Sequence, residues 1–124
     1  MNLHDRIISE VSNVLNQKDF DIYTNPGQEK NAGIGDNFPD VIMVEKGTKT
    51  VRFILEIETE ESITQNEANS QWKKYSNEIN ATFYLVVPKN LLIKATQISQ
   101  QVGINVRFAT YSIDGNNVVK FKFN

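Results

Sequence analysis

The chain has no cysteine and a single histidine, His4, among its 124 residues. Disulfides and thiolate metal sites are therefore excluded, and so is a zinc centre built on several histidines. Acidic and basic residues nearly balance, at a formal net charge of −2, so the composition gives no general attraction to a polyanion. A nucleic-acid partner would have to be held by a local patch or by a metal bound at acidic residues.

Long hydrophobic runs are lacking as well. No apolar run approaches the roughly 20 residues of a membrane-spanning helix, and the first five residues lack the basic and apolar regions of a signal peptide. We therefore expect a cytoplasmic protein with no membrane partner.

Hydrophobic residues make up 40% of the chain, which is enough for one core, and the length leaves no room for a second domain. Residues 1–124 are expected to form a single domain.

Apolar periodicity predicts nine elements in the order α-β-β-β-α-β-α-β-β. The predicted helices span residues 3–17, 64–79 and 91–102, and the predicted strands span residues 20–23, 38–44, 51–58, 81–87, 104–111 and 118–123. Segment 81–87 is almost continuously apolar, which predicts an interior strand, whereas the two lysines of the last strand favour an edge. The pattern indicates an α/β fold with a mixed central sheet flanked by helices.

Acidic residues stand at the ends of two neighbouring strands. Asp40 shares a predicted face with the apolar residue two positions on, and Glu56 and Glu58 share one face of the next strand with Ile54. A carboxylate in such a run costs several kcal/mol unless it is paired, hydrogen-bonded or bound to a cation. We therefore predict a divalent metal site with oxygen ligands at Asp40, Glu56 and Glu58.

Two helices offer further polar residues to this site. On the helix 64–79, Gln71 and Tyr75 lie one turn apart and can address the same place, and Lys74 lies three residues from Gln71. On the first helix, Glu10 borders the buried stripe and is either a solvated flank residue or an additional acid directed at the site. We expect His4 to pack or cap the first helix, outside the site.

Two motifs resemble those of a known nuclease superfamily. Pro39-Asp40, followed after a hairpin by Glu56-Ile57-Glu58, resembles the PD-(D/E)xK superfamily, whose members share an αβββαβ core with the acids on the second and third strands. The segment from Gln71 to Tyr75 is similar to the QxxxY motif on the following helix of RecB-like exonucleases. The resemblance covers roughly residues 3 to 103 and implies a restriction-endonuclease-like core with C-terminal β additions.

The resemblance also implies an activity. Asp40 and Glu56 would bind Mg²⁺ or Mn²⁺ together with the carbonyl of Ile57, and Gln71 and Tyr75 would position the metal, the water or the nucleic acid. The implied function is a metal-dependent nuclease that hydrolyses phosphodiester bonds in DNA. Many enzymes of this fold cut duplexes as dimers, so a homodimer is open, although nothing in the sequence identifies a dimer face.

Glu58 departs from the family pattern, because it stands where the family keeps a lysine. It could be a further metal ligand, with the work of the lysine taken over by Lys74, or it could mark a related branch with an ExE site. It could also mark an inactive nuclease-fold module that binds nucleic acid or a protein partner. In a simpler interpretation, the acids of the cluster are merely paired with Lys73, Lys74 or Arg52.

Overall fold

In the computed structural model, which describes residues 1–124, a six-stranded mixed sheet carries helices on both faces. The second helix is continuous but changes type twice, and we name its α-helical, π-helical and α-helical parts together α2. The elements are α1 (Leu3–Val14), β1 (Phe20–Thr24), β2 (Val41–Glu45), β3 (Val51–Ile57), α2 (Gln65–Glu67, Ala68–Trp72 and Lys73–Glu78), β4 (Thr82–Pro88), α3 (Leu92–Val102), β5 (Arg107–Ile113) and β6 (Val119–Phe123). The predicted order of elements is confirmed.

The strands lie side by side in chain order from β1 to β6. The β3–β4 and β4–β5 pairs are parallel, and the other three pairs are antiparallel. Parallel neighbours cannot be joined by a tight turn, so α2 and α3 cross from one strand to the next. The predictions of an interior β4 and an edge β6 are both confirmed.

A hydrophobic core lies on each face of the sheet. On one face α1 packs against the side chains of β3 that include Leu55 and Ile57. On the other face α2 and α3 pack against Ile54 and Leu85, with the fully buried Trp72 at the centre. Because strand side chains alternate, Glu56 shares the face of Ile54, as predicted, and therefore points to the α2 side.

The first acidic strand is shorter than predicted, because it begins at Val41 and leaves Asp40 in a bend before it. Pro39 has no N–H to donate to a ladder, and its carbonyl instead accepts a hydrogen bond from the side chain of the buried Asn25. The backbone carbonyl of Asp40 accepts from the N–H of Asn25. Asp40 is therefore held by the chain that follows β1 and is free of strict strand alternation.

Two other boundaries differ for local reasons. The first helix ends at Val14, and the side chain of Asn16 accepts from the backbone N–H groups of Lys18 and Asp19 to form a turn. Strand β5 begins at Arg107, because the backbone N–H of Ile104 is still used to cap α3 behind the left-handed Gly103.

None of the helices combines the length and the apolar character needed to cross a bilayer.

Candidate functional site

Asp40 and Glu56 lie against each other where the start of β2 runs beside the end of β3. The Oε1 atom of Glu56 accepts the backbone N–H of Asp40 at 2.9 Å, and Oδ2 of Asp40 accepts the backbone N–H of Ile57 at 2.8 Å. Both residues are buried, with 7% and 3% of their surface exposed. An extended residue directs its N–H and its carbonyl to the same side, so the Ile57 carbonyl also faces this region.

His4 is the cationic partner of Asp40. Its Nε2 atom lies 3.0 Å from Oδ2 of Asp40, and its Nδ1 atom lies 3.0 Å from Oδ1 of Asp5. The hydrogen bond to Asp40 raises the pKa of His4 to about 9, although burial opposes the rise. The imidazole is therefore protonated at neutral pH. The prediction that His4 lies outside the site was wrong, because the N-terminus of α1 reaches Asp40 across the sheet.

Glu56 has no cationic partner of its own. Burial, followed by the charges of Asp40 and Glu58, raises the pKa of Glu56 well above its ordinary value. Neither Glu56 nor the other two acids of the cluster forms an ion pair with a lysine or an arginine, and Arg52 instead pairs with Glu45 at 3.2 Å. The interpretation in which the acids are merely paired with Lys73, Lys74 or Arg52 was therefore wrong.

Glu58 is built into the packing under α2. Its Oε1 atom accepts from Nε1 of Trp72 at 2.9 Å, and Oε2 accepts the hydroxyl of Ser62. The hydroxyl of Tyr111 donates to the backbone carbonyl of Glu58 at 2.8 Å. Burial raises the pKa of Glu58 to about 8, against the lowering effect of the Ser62 and Trp72 hydrogen bonds. Both carboxylate oxygens are thus already engaged by protein donors.

An open cleft of about 570 Å³ lies between α2 and the loop that joins β1 to β2. The loop folds closely at Gly33, since a Cβ there would lie 2.7 Å from the ring of Phe38. The loop forms one wall of this cleft. Asp40 lines the cleft, together with Lys30, Asp36, Asn37 and Phe38 from the loop and Glu67, Gln71, Lys74 and Tyr75 from α2.

The structure brings most of the predicted residues to this cleft. Gln71, Lys74 and Tyr75 line it directly, and Glu56 adjoins it through its contacts with Asp40 and Gln71. Burial raises the pKa of Tyr75 above its ordinary value, so its hydroxyl keeps its proton. Glu10 is half-buried on α1 and does not line the cleft.

Sequence reasoning missed Lys30 and Glu67, which also line the cleft. For Glu67 a signal was present, because it stands four residues before Gln71 and so lies on the same helix face. For Lys30 there was none, since its position depends on the path of an irregular loop. Its ammonium lies 5.3 Å from the centre of the Phe38 ring.

Acidic and histidine side chains alone do not supply a complete set of metal ligands at this place. No group of three or more such side chains is arranged to hold a metal ion. The prediction that Asp40, Glu56 and Glu58 share one cation stays a prediction.

No protein-family model matches the chain, and searches of characterised proteins and of solved structures gave no significant match. The family resemblance therefore rests on the motifs and on where the fold places them.

Proposed function

We propose that the protein is a metal-dependent nuclease that hydrolyses phosphodiester bonds in DNA at the cleft beside α2. The observation that carries this proposal is the buried pair Asp40 and Glu56. Their carboxylates accept the backbone N–H groups of Ile57 and Asp40, and no lysine or arginine lies between them. Two adjacent buried carboxylates repel each other and favour the binding of a cation. Their placement at the start of β2 and on β3, within the αβββαβ order, supports a restriction-endonuclease-like fold.

The residues at this position suit Mg²⁺ or Mn²⁺. Carboxylate and carbonyl oxygens are the donors that these ions prefer, and Asp40, Glu56 and Ile57 would supply them. The Oδ2 atom of Asp40 is engaged by His4 and Ile57, whereas Oδ1 forms no hydrogen bond and is left for a ligand.

A bound divalent cation would supply a Lewis acid that lowers the pKa of the attacking water and offsets charge on the phosphate. The side chains of the cleft would do the remaining work. Gln71 donates to the Glu56 carboxylate and orients it, and the hydroxyl of Tyr75 donates to the amide oxygen of Gln71. Lys74 lies on the cleft wall without an acidic partner within salt-bridge distance, so its ammonium is left to attract a phosphate. In this arrangement Lys74 would replace the lysine that the family carries at the position of Glu58.

The test is DNA cleavage in Mg²⁺, in Mn²⁺ and in a chelator, with linear duplex and single-stranded DNA as substrates. The wild-type protein should cleave only with metal, and Asp40→Asn should reduce cleavage to the level seen with chelator. Asp36→Asn is the matched control, because Asp36 is an exposed aspartate on the same cleft, and it should keep activity. Absence of cleavage by the wild-type protein on every substrate and metal would overturn the proposal.

One observation favours a second candidate, an inactive nuclease-fold module that binds nucleic acid or a protein partner. The carboxylate of Glu58 is held by Trp72 and Ser62, so the position where the family keeps a lysine supplies no cation. Such a module would bind DNA equally well in metal and in chelator, without cleaving it. Binding through phosphate contacts would weaken as the salt concentration rises.

A further inference from the structure

Gln71 lies between two carboxylates. With its amide nitrogen directed at them, it donates to Oε2 of Glu56 at 3.3 Å and makes a closer contact with Oε1 of Glu67. Its amide oxygen then accepts the hydroxyl of Tyr75 at 3.3 Å. The opposite orientation would place the amide oxygen against two acceptors, so the hydrogen-bond network determines the assignment. Both N–H groups of the amide are used, one for each carboxylate.

The shape of α2 keeps these side chains in line. Glu67, Gln71 and Tyr75 follow one another at intervals of four residues, and in an ideal α-helix each such step rotates a side chain about 40° around the axis. The turn from Ala68 to Trp72 is π-helical, and the N–H of Lys73 bonds to the carbonyl five residues back. A π turn holds more residues and rotates less per residue, so it offsets this drift. The three side chains therefore stay on the side of α2 that faces Glu56.

From these contacts we infer that Glu67 is a positioning residue of the metal site, acting on Glu56 through the amide of Gln71. By accepting one N–H, Glu67 fixes the plane of the amide so that the second N–H points at Oε2 of Glu56. Without that acceptor the amide is free to turn its oxygen towards Glu56, which would displace the carboxylate. Glu67 needs only an acceptor oxygen for this role, and its charge is not required. The inference rests on the proposed function, because it assigns Glu67 a part in the same site.

The experiment compares Glu67→Ala, which removes the acceptor, with Glu67→Gln, which keeps an acceptor oxygen and removes the charge. Glu60→Ala is the control, because Glu60 is an exposed acid outside the cleft. Two quantities are measured on each protein. One is Mn²⁺ affinity by titration calorimetry, and the other is the NMR signal and exchange rate of the Gln71 side-chain amide in the metal-free protein.

Glu67→Ala should weaken Mn²⁺ binding about 10-fold or more, as loss of a ligand-orienting partner commonly does. It should also shift the Gln71 amide signal and speed its exchange. Glu67→Gln should stay near the wild type in both, as should Glu60→Ala. If Glu67→Ala leaves the Gln71 signal and its exchange unchanged, the positioning role is overturned. It is equally overturned if Glu67→Gln is as damaging as Glu67→Ala, because the charge would then be what matters. A wild-type protein that binds no Mn²⁺ would instead refute the proposed function, which the metal-free NMR signal does not test.

Discussion

Replacement of Glu58 by glutamine tests the central packing of the site without a change of shape. Glu58 is 2% exposed, and its pKa is raised from 4.5 to about 8 by burial. Between pH 4.5 and pH 8 the folded chain therefore binds more protons than the unfolded chain. The free energy of unfolding of the wild-type protein therefore falls as pH rises through this range. Glutamine carries no titrating proton, can accept from Trp72 and can donate to the oxygen of Ser62, so Glu58→Gln escapes this loss.

The size of the effect follows from the two pKa values. Each pH unit between them is worth about 1.36 kcal/mol of unfolding free energy. We expect Glu58→Gln to be more stable than the wild type by about 3 kcal/mol at pH 7 and about 4 kcal/mol at pH 8, relative to their difference at pH 4. The contributions of titrating groups that do not interact with Glu58 cancel when the two proteins are compared at the same pH. Glu56 is the exception, because the charge of Glu58 raises its pKa.

Urea unfolding followed by tryptophan fluorescence measures this difference, since Trp72 is the single tryptophan and contacts Glu58 directly. The measurements should be made at pH 4, 7 and 8. Glu60→Gln serves as the control and should differ from the wild type by a small, pH-independent amount. A difference between Glu58→Gln and the wild type that does not grow with pH would contradict a raised pKa for Glu58. It would mean that Glu58 is already ionised in the folded protein.

Two other predictions concern Lys74 and His4. Lys74→Ala is expected to remove cleavage while leaving Mn²⁺ affinity nearly unchanged, because Lys74 lines the cleft and pairs with neither carboxylate. Cleavage assays alongside calorimetry check this, and cleavage at the wild-type rate would show that Lys74 does not replace the family lysine. His4→Gln is expected to reduce stability at pH 6 and to have little electrostatic effect at pH 10. The folded pKa of His4 is about 9 against 6.5, so the ion pair with Asp40 stabilises the fold fully below pH 6.5 and is lost as pH rises through 9. Unfolding curves at the two pH values test this, and an equal loss at both would rule out the ion pair as the cause.

The order of elements could be predicted from the sequence because each element is encoded by a local pattern. The apolar spacing of α1 and the run 81–87 identified a helix and an interior strand without any knowledge of the sheet. Boundaries were harder where side chains or caps intervene. The start of β2 shifted from residue 38 to Val41 because Asn25, fifteen residues earlier than Asp40, binds the bend.

The candidate site could be predicted only in part. Strand alternation placed Glu56 and Glu58 on one face, and helical spacing placed Gln71 and Tyr75 together. Alternation could not show that Trp72 would engage Glu58 and leave Glu56 beside the cleft. The contact between His4 and Asp40 joins residues 36 positions apart and depends on how α1 packs across the sheet. No periodicity within either segment carries that information.

A crystal structure of the protein grown or soaked with Mn²⁺, with anomalous scattering recorded at a wavelength where manganese is identified, would show directly whether Asp40 and Glu56 bind a metal. We expect one strong anomalous peak in contact with Oδ1 of Asp40 and the carboxylate of Glu56. An absence of any peak there, with manganese bound only at exposed surface acids such as Glu60, would contradict the claim that this buried pair is a metal site.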